Sequence, residues 1–250
     1  MKSKKIIGGM LAVGGLMMAA GCATVPKLTG TEKIAVVNYY LDKSIVADGA
    51  QPDPGPGLLN DKATYYTHHQ EALDQAWAAF KAKEPAMIGA DRCVDPSTID
   101  GNTDMLALTA PAADNGMGVD QNLADMFLHP AGLRYVNIYD AKMDAKLSQL
   151  LKADILISIG LKANYFMSGG ISIGGIGGGK MSMHLVGTLM EALPSGRILR
   201  VVELTGTSKE TADAGHIGVG SGMDPKEYPR LMVSAQEDLM DKIAKEIAAW

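Results

Sequence analysis

The first β-rich run of the chain is residues 33–40, Lys-Ile-Ala-Val-Val-Asn-Tyr-Tyr, whose unbroken apolar centre suits a short strand covered on both faces. Residues 48–57 carry Pro52, Pro54, Pro56 and three glycines, a composition that forbids regular structure and reads as a loop. Asn60 or Asp61 then caps a helix that runs to about Lys83, presents Tyr66, Leu73, Trp77 and Phe80 on one face, and stops at Pro85. Residues 86–130 lose the period: Asp91, Asp95, Asp100, Asp104, Asp114 and Asp120 alternate with Gly, Pro and brief apolar runs, and only a short helix at 119–128 is expected. The signal sharpens with a strand at 133–139, an Asp140-capped helix with Met143, Leu147, Leu150 and Leu151 on one face, and a strand at 154–166. These three make a βαβ unit. Residues 168–180 are almost pure Gly, Ser and Ile and read as a flexible connection before a strand at 181–193. Pro194-Ser195-Gly196 turns the chain into a returning strand, 197–205. A second Gly-rich loop, 213–224, precedes an amphipathic helix at 229–249 with Met232, Ala235, Leu239, Ile243 and Ile247 on one stripe. The order β-α-β-α-β-β-β-α predicts an α/β fold, an α+β sandwich whose central mixed sheet carries packed helices. It forms a single domain, 33–250, with an irregular insertion at 86–130.

Ahead of this domain, Lys2, Lys4 and Lys5 precede an apolar stretch, 6–20, that ends in small residues, the layout of a signal peptide covering residues 1–21. The stretch is too short for a spanning helix. Its ending, Ala19-Ala20-Gly21-Cys22, resembles the lipobox of bacterial lipoproteins, with Ala19 where Leu is usual. The resemblance implies cleavage after Gly21 and diacylglycerol and palmitate on Cys22. Because Ala23 rather than Asp follows, it also implies delivery to the outer membrane; the leaflet is left open by the motif, and the periplasmic face is the expectation. Residues 22–32 then form the lipidated Cys and a tether whose reach, at about 3.3 Å per extended residue, is a few tens of ångströms. Acylation of Cys22 leaves Cys93 single, in the usual role of a small buried hydrophobe; without it the two cysteines can pair.

Charge narrows the partners. The net charge of -5 becomes -8 once Lys2, Lys4 and Lys5 leave with the signal, which argues against nucleic acid. With 47% apolar and 20% charged residues, and no apolar run of spanning length past the leader, the chain is neither a disordered tail nor a multi-span membrane protein.

The opening Lys33-Ile-Ala-Val-Val, the passage Leu150-Leu-Lys-Ala-Asp154-Ile-Leu-Ile-Ser-Ile-Gly160 and the hairpin Leu193-Pro-Ser-Gly-Arg-Ile-Leu199 resemble a periplasmic α/β domain superfamily. It is shared by the TolB amino-terminal domain, the peptidoglycan-synthase activator lipoproteins and the curli secretion lipoprotein CsgG. Residues 165–170 with their Ser-Gly-Gly, the Gly-Ile-Gly that follows, and Thr207-Ser-Lys-Glu210 are most similar to the curli type. The resemblance covers 33–40 and 133–247 and implies a docking and assembly domain. Curli-type subunits insert two long hairpins into the outer membrane at the positions of the two Gly-rich loops. A spanning strand needs about 9 to 11 residues of alternating character, which 168–180 is too short to supply twice and 207–229 does not show. Transmembrane hairpins are therefore expected to be missing.

Residues 174–180, Gly-Gly-Ile-Gly-Gly-Gly-Lys, imitate a phosphate loop, but Met181 stands where Ser or Thr is needed and a strand follows instead of a helix. Met181, Met183 and His184 invite a soft metal, yet on a strand the methionines face away from the histidine and read as core. His68 and His69 lack zinc-binding spacing and read as solvated or partly packed. Asp91, Asp95, Asp100, Asn102 and Asp104 are the one oxygen cluster dense enough to weigh Ca²⁺, although no EF-hand spacing is present. No other cofactor is expected. Neither a Gly-x-Ser-x-Gly elbow nor a protease-like context for Cys93 occurs, so no catalytic residue is assigned.

The expectation is a lipid-anchored envelope protein that is not an enzyme. It holds outer-membrane lipid through Cys22 and docks other envelope proteins in secretion, envelope biogenesis or cell-wall maintenance. The insertion and the Gly-rich loops, sampled at Leu106 and Ile173, are its candidate contact regions. The rivals are a homo-oligomeric curli-type export component and a periplasmic hydrolase or ligand-binding lipoprotein. Cys22→Ala is expected to shift the protein from the outer-membrane fraction to the soluble periplasm, and continued outer-membrane fractionation would defeat the anchor.

Overall fold

The apolar run at the start of the domain forms β1, Ile34–Asp42, in the computed structural model, which describes residues 29–43, 46–47, 62–109, 127–138, 140–173, 176–217, 220–223 and 225–249. The remaining strands are β2 (Val46–Ala47), β3 (Phe127–Leu128), β4 (Ile155–Ile173), β5 (Ile176–Ala192), β6 (Ile198–Thr207), β7 (Ala212–Ile217) and β8 (Gly220–Met223). Among the described residues, four α-helices accompany them: α1 (Lys62–Ile88), α2 (Thr103–Leu108), α3 (Ala141–Leu151) and α4 (Tyr228–Ala248). The fold is α/β, with one mixed sheet in the order β3-β1-β4-β5-β7-β8, β2 pairing β4 and β6 pairing β5. The signal peptide, Gly21, Cys22 and most of the tether lie outside the described residues.

β1 runs parallel to β4, from Ile34 opposite Ile155 to Leu41 opposite Leu161, and both strands are buried on both faces, as their continuous apolar sequence demands. The helices α1 and α4 cover one face. Tyr39 packs on Trp77 and Phe80 at ring-centroid distances of 5.1 and 5.5 Å, and its hydroxyl donates to Gln236 Oε1 at 2.9 Å. Gln236 Nε2 donates in turn to the Ala76 carbonyl, so one buried amide joins β1, α1 and α4. Residues 133–138 lie over the opposite face, where Asn38 Nδ2 donates to the Val136 carbonyl (2.9 Å) and to Ser158 Oγ (3.0 Å).

Several expectations hold in detail. Asp140 caps α3 by accepting from the Lys142 and Met143 amides, and Gly196 turns the β5–β6 hairpin at φ +75°. Others are corrected. Pro85 sits inside α1, which continues to Ile88 and ends at Gly89 with φ +98°. Proline removes one helical hydrogen bond, and the burial of Leu73, Trp77, Phe80 and Ile88 along the helix outweighs that loss. Residues 133–138 form no strand, and β1, not this segment, is the parallel neighbour of β4. Of the expected helix at 119–128, residues 119–126 lie outside the described residues and Phe127–Leu128 form β3 against Leu41 and Asp42. The first part of the insertion is not a detached loop. Ile34 exchanges backbone hydrogen bonds of 2.8 Å with Arg92 and Val94, and Ile99 and Met105 are core. Both Gly-rich stretches, read as loops, contain strands, because glycine carries no side chain whose alternation could reveal them.

Close approach of α4 to the sheet depends on Gly206, where an added Cβ would lie 2.2 Å from the Ala235 carbonyl oxygen and 2.7 Å from the Leu239 amide. Both are helix backbone and cannot yield. Gly206→Ala should cost about 3 kcal/mol of stability by overpacking, read as a lower urea midpoint by circular dichroism; an unchanged midpoint would contradict the packing described.

Candidate functional site

β4 and β5 continue well beyond the part of the sheet that carries helices. β5 holds β6 along His184–Ala192, and on the same edge, further out, it holds β7 along Ile176–Met181. Ser208 makes the join. Its amide donates to the Met183 carbonyl at 2.8 Å and its Oγ accepts from the Met183 amide at 2.9 Å, so the chain leaves β6 and resumes as β7 without losing β5. β7 turns back as β8. The result is a four-stranded antiparallel tongue, β4-β5-β7-β8, built from the two Gly-rich segments.

The register orders the tongue into rows. Lys180 and Asp213 are cross-strand partners with an ion pair of 2.5 Å at its base. Outward from them the backbone register aligns Ile171, Gly178, Gly215 and Gly222, and then Ile173, Ile176, Ile217 and Gly220. The alternate rows are Gly170, Gly179, Ala214, Met223 and Ser172, Gly177, His216, Ser221. Residues 168–179 and 214–223 contain no Asp, Glu, Lys or Arg.

The edges of the sheet are treated unequally. At the outer edge of β6, residues of α4 spaced four apart take up backbone groups. Ser234 Oγ accepts from the Lys209 amide (3.0 Å), Asp238 from the Thr207 amide (2.9 Å), and Lys242 donates to the Thr205 carbonyl. Glu246 closes the row by binding Arg200. Such side chains block strand addition. Among the described residues nothing pairs with the outer edge of β4 beyond Tyr165, or with the outer edge of β8.

The sequence-derived site residues fall in different places. Ile173 ends β4 at the tongue tip; Leu106 is half-buried on α2, its carbonyl accepting from Arg134 at 3.0 Å. The acidic residues do not converge. Asp95 caps a short 3-10 helix, Asn102 caps α2, Asp100 pairs with Lys81, and Asp91 and Asp104 are exposed. No group of three or more His, Cys, Asp or Glu among the described residues is placed to hold a metal. Met181 and Met183 are buried as core, while His184 stacks on Phe166 at 4.0 Å. His68 lies 3.6 Å from Glu71; His69 is buried against Tyr228, more deeply than its sequence context suggests. Lys180, the lysine of the phosphate-loop imitation, is spent on Asp213.

Sequence reasoning missed the buried acids. Burial pushes Glu84 up to about 8, and Asp144 and Glu191 up to about 7; the nearby Arg200 only partly offsets the effect on Glu191. Burial, with the acids Glu84 and Asp95 beside it, pushes the Cys93 thiol up to about 12, so the half-buried cysteine is a poor nucleophile. No pattern marks these acids, because a helical or strand period treats any carboxylate as a solvent position. Between α1 and α4 lies an open groove of about 610 Å³. Its acids Glu71, Glu210 and Glu237 face His68, Lys226 and Arg230, and Arg230 is already paired with Glu210 and Glu227. No helix of the described residues is long and apolar enough to cross a membrane. Comparison with known proteins finds no matching family model and no matching curated protein.

The raised acid at Glu84 fixes a sign. Its contribution to stability is full below the unfolded-state value of about 4.5 and is lost as pH rises through the folded value of about 8. Stability should fall across that window, and Glu84→Gln should flatten the fall in urea titrations at successive pH values. An unchanged slope in the variant would show that Glu84 is not held neutral.

Proposed function

We propose that the protein is a lipid-anchored component of the cell envelope that works by protein contact, not by covalent chemistry, with the tongue as its contact organ. The observation that supports this reading is the treatment of edges: polar residues of α4 block β6, while among the described residues no strand pairs with the outer edges of the tongue. The leader and Cys22 supply the anchor. The resemblance to periplasmic docking domains supports the same role.

The directions of the strands favour one partner, a second copy of this chain. The four strands alternate in direction, so β8 of one copy meets β4 of the next antiparallel. A head-to-tail contact of this kind closes into a ring when the rotation allows. This second reading is the curli-type export component, with a tongue that is short for a spanning hairpin pair.

Photoreactive residues at Leu106 and Ile173 separate the readings in living cells. A discrete adduct with a different envelope protein supports docking and names its partner. A ladder of self-adducts from Ile173 supports the ring, and the absence of any adduct at both positions would sink the proposal.

A further inference from the structure

We infer that a turn at the base of the lipid tether holds the anchor at the end of the sheet opposite the tongue, so that the tongue faces away from the leaflet that holds Cys22. It then serves water-soluble partners beyond the body, not lipid or proteins embedded in that leaflet. The inference rests on the anchored reading of Cys22. The tether enters the body at Lys33, whose amide donates to Asp154 Oδ2 at 2.8 Å and whose carbonyl accepts from the Asp154 and Ile155 amides at 2.8 and 3.0 Å. Lys33 Nζ donates to the Asp91 carbonyl, and Arg92 Nε donates to the Glu32 carbonyl at 3.4 Å, so the entry point is tied to the segment after α1 as well. Immediately before it the chain folds on itself. Glu32 Oε1 accepts from the Thr29 amide at 2.6 Å and from the Thr29 hydroxyl at 2.9 Å, and Oε2 accepts from the Gly30 amide at 2.9 Å. These donors, the Thr29 amide foremost, hold the Glu32 carboxyl down at about 2, so the turn keeps its charge near neutral pH. Residues 22–28 then span at most about 25 Å between Cys22 and Thr29. β4 starts beside Lys33 and leads away from it. At about 3.4 Å per residue, the row of Ser168, Lys180 and Asp213 at the base of the tongue stands about 44 Å along the strand from Ile155. An upright body therefore cannot turn its tongue toward the anchoring leaflet, because the tether does not reach that far. The acidic mature chain is also repelled by anionic headgroups, which works against its lying flat.

The test uses the full acylated protein on phosphatidylethanolamine–phosphatidylglycerol vesicles that carry an energy-acceptor lipid. In a Cys93→Ser background, Ser195→Cys at the β5–β6 turn or Thr211→Cys ahead of β7 takes a donor dye, both positions being exposed. Ser195 lies at the Ile155 end of the sheet, and Thr211 about 40 Å further along, beside the row of Met167 and Met181. Expected is several-fold stronger transfer from position 195 than from position 211, and a smaller contrast with Glu32→Ala, which releases the turn. Equal transfer, or stronger transfer from position 211, overturns the inference and leaves the anchor intact, as does a lipid photoadduct at Ile173. A contrast undiminished by Glu32→Ala overturns the part given to the turn. An intact mass without lipid, or protein left in the supernatant, sinks the anchored reading and this inference with it.

Discussion

The β4–β5 ladder is the constraint on which the rest of the molecule depends. Its inner half is held from both sides, by parallel β1 on one edge and antiparallel β6 on the other, and is pressed by α1 and α4. Its tip, beyond Ser168 and Lys180, is rich in glycine, which contributes little packing and costs conformational entropy when ordered. Such a segment would not hold a strand conformation alone. It does so because the register is already set in the body, where a slip of one residue would turn Leu185 and Leu189 out of the core. The core therefore dictates the register of the tongue.

Edge management follows from the same geometry. β6 and β7 lie end to end along β5, yet they meet different surroundings. β6 passes under α4, whose Ser234, Asp238, Lys242 and Glu246 recur every fourth residue on one stripe of the helix. A helical period thus matches a strand edge and satisfies it with side chains. β7 lies past the start of α4, so its own return strand, β8, is its cover, and the open edge is moved outward by one strand. Gly206 and Gly187 make the arrangement work by letting Leu239 sit against the sheet.

The elements that were legible in the sequence are those whose side chains report burial. β1, α3, the inner halves of β4 and β5, β6 and α4 all carry apolar periods, and the Asp140 cap and Gly196 turn carry their own chemistry. The tongue was illegible because Gly-Ile-Gly-Gly-Gly has no alternation to read, even though its register is well defined. Residues 133–138 misled for the opposite reason: Leu133, Val136 and Ile138 are buried, but under a sheet face and not within the sheet. The candidate site was half visible, since Ile173 and the Gly-rich segments were singled out while their joining into one sheet depends on the contact of Ser208 with Met183, which no local pattern encodes.

Open edges on a protein in solution are a hazard, and the composition of the tongue limits it. Short glycine-rich strands bring little side-chain contact to a new pairing, so encounters between free copies gain little beyond backbone hydrogen bonds. The proposed lipid on Cys22, on a tether of a few tens of ångströms, would change that balance by confining copies to a thin layer and raising their effective concentration without any new contact. On this view the anchor and the weak edge are complementary parts of one device. A stronger tongue would pair before reaching the membrane, and an unanchored one would scarcely pair at all. On the proposed reading, the glycines that hide the tongue from sequence analysis would also delay its assembly until the chain is anchored.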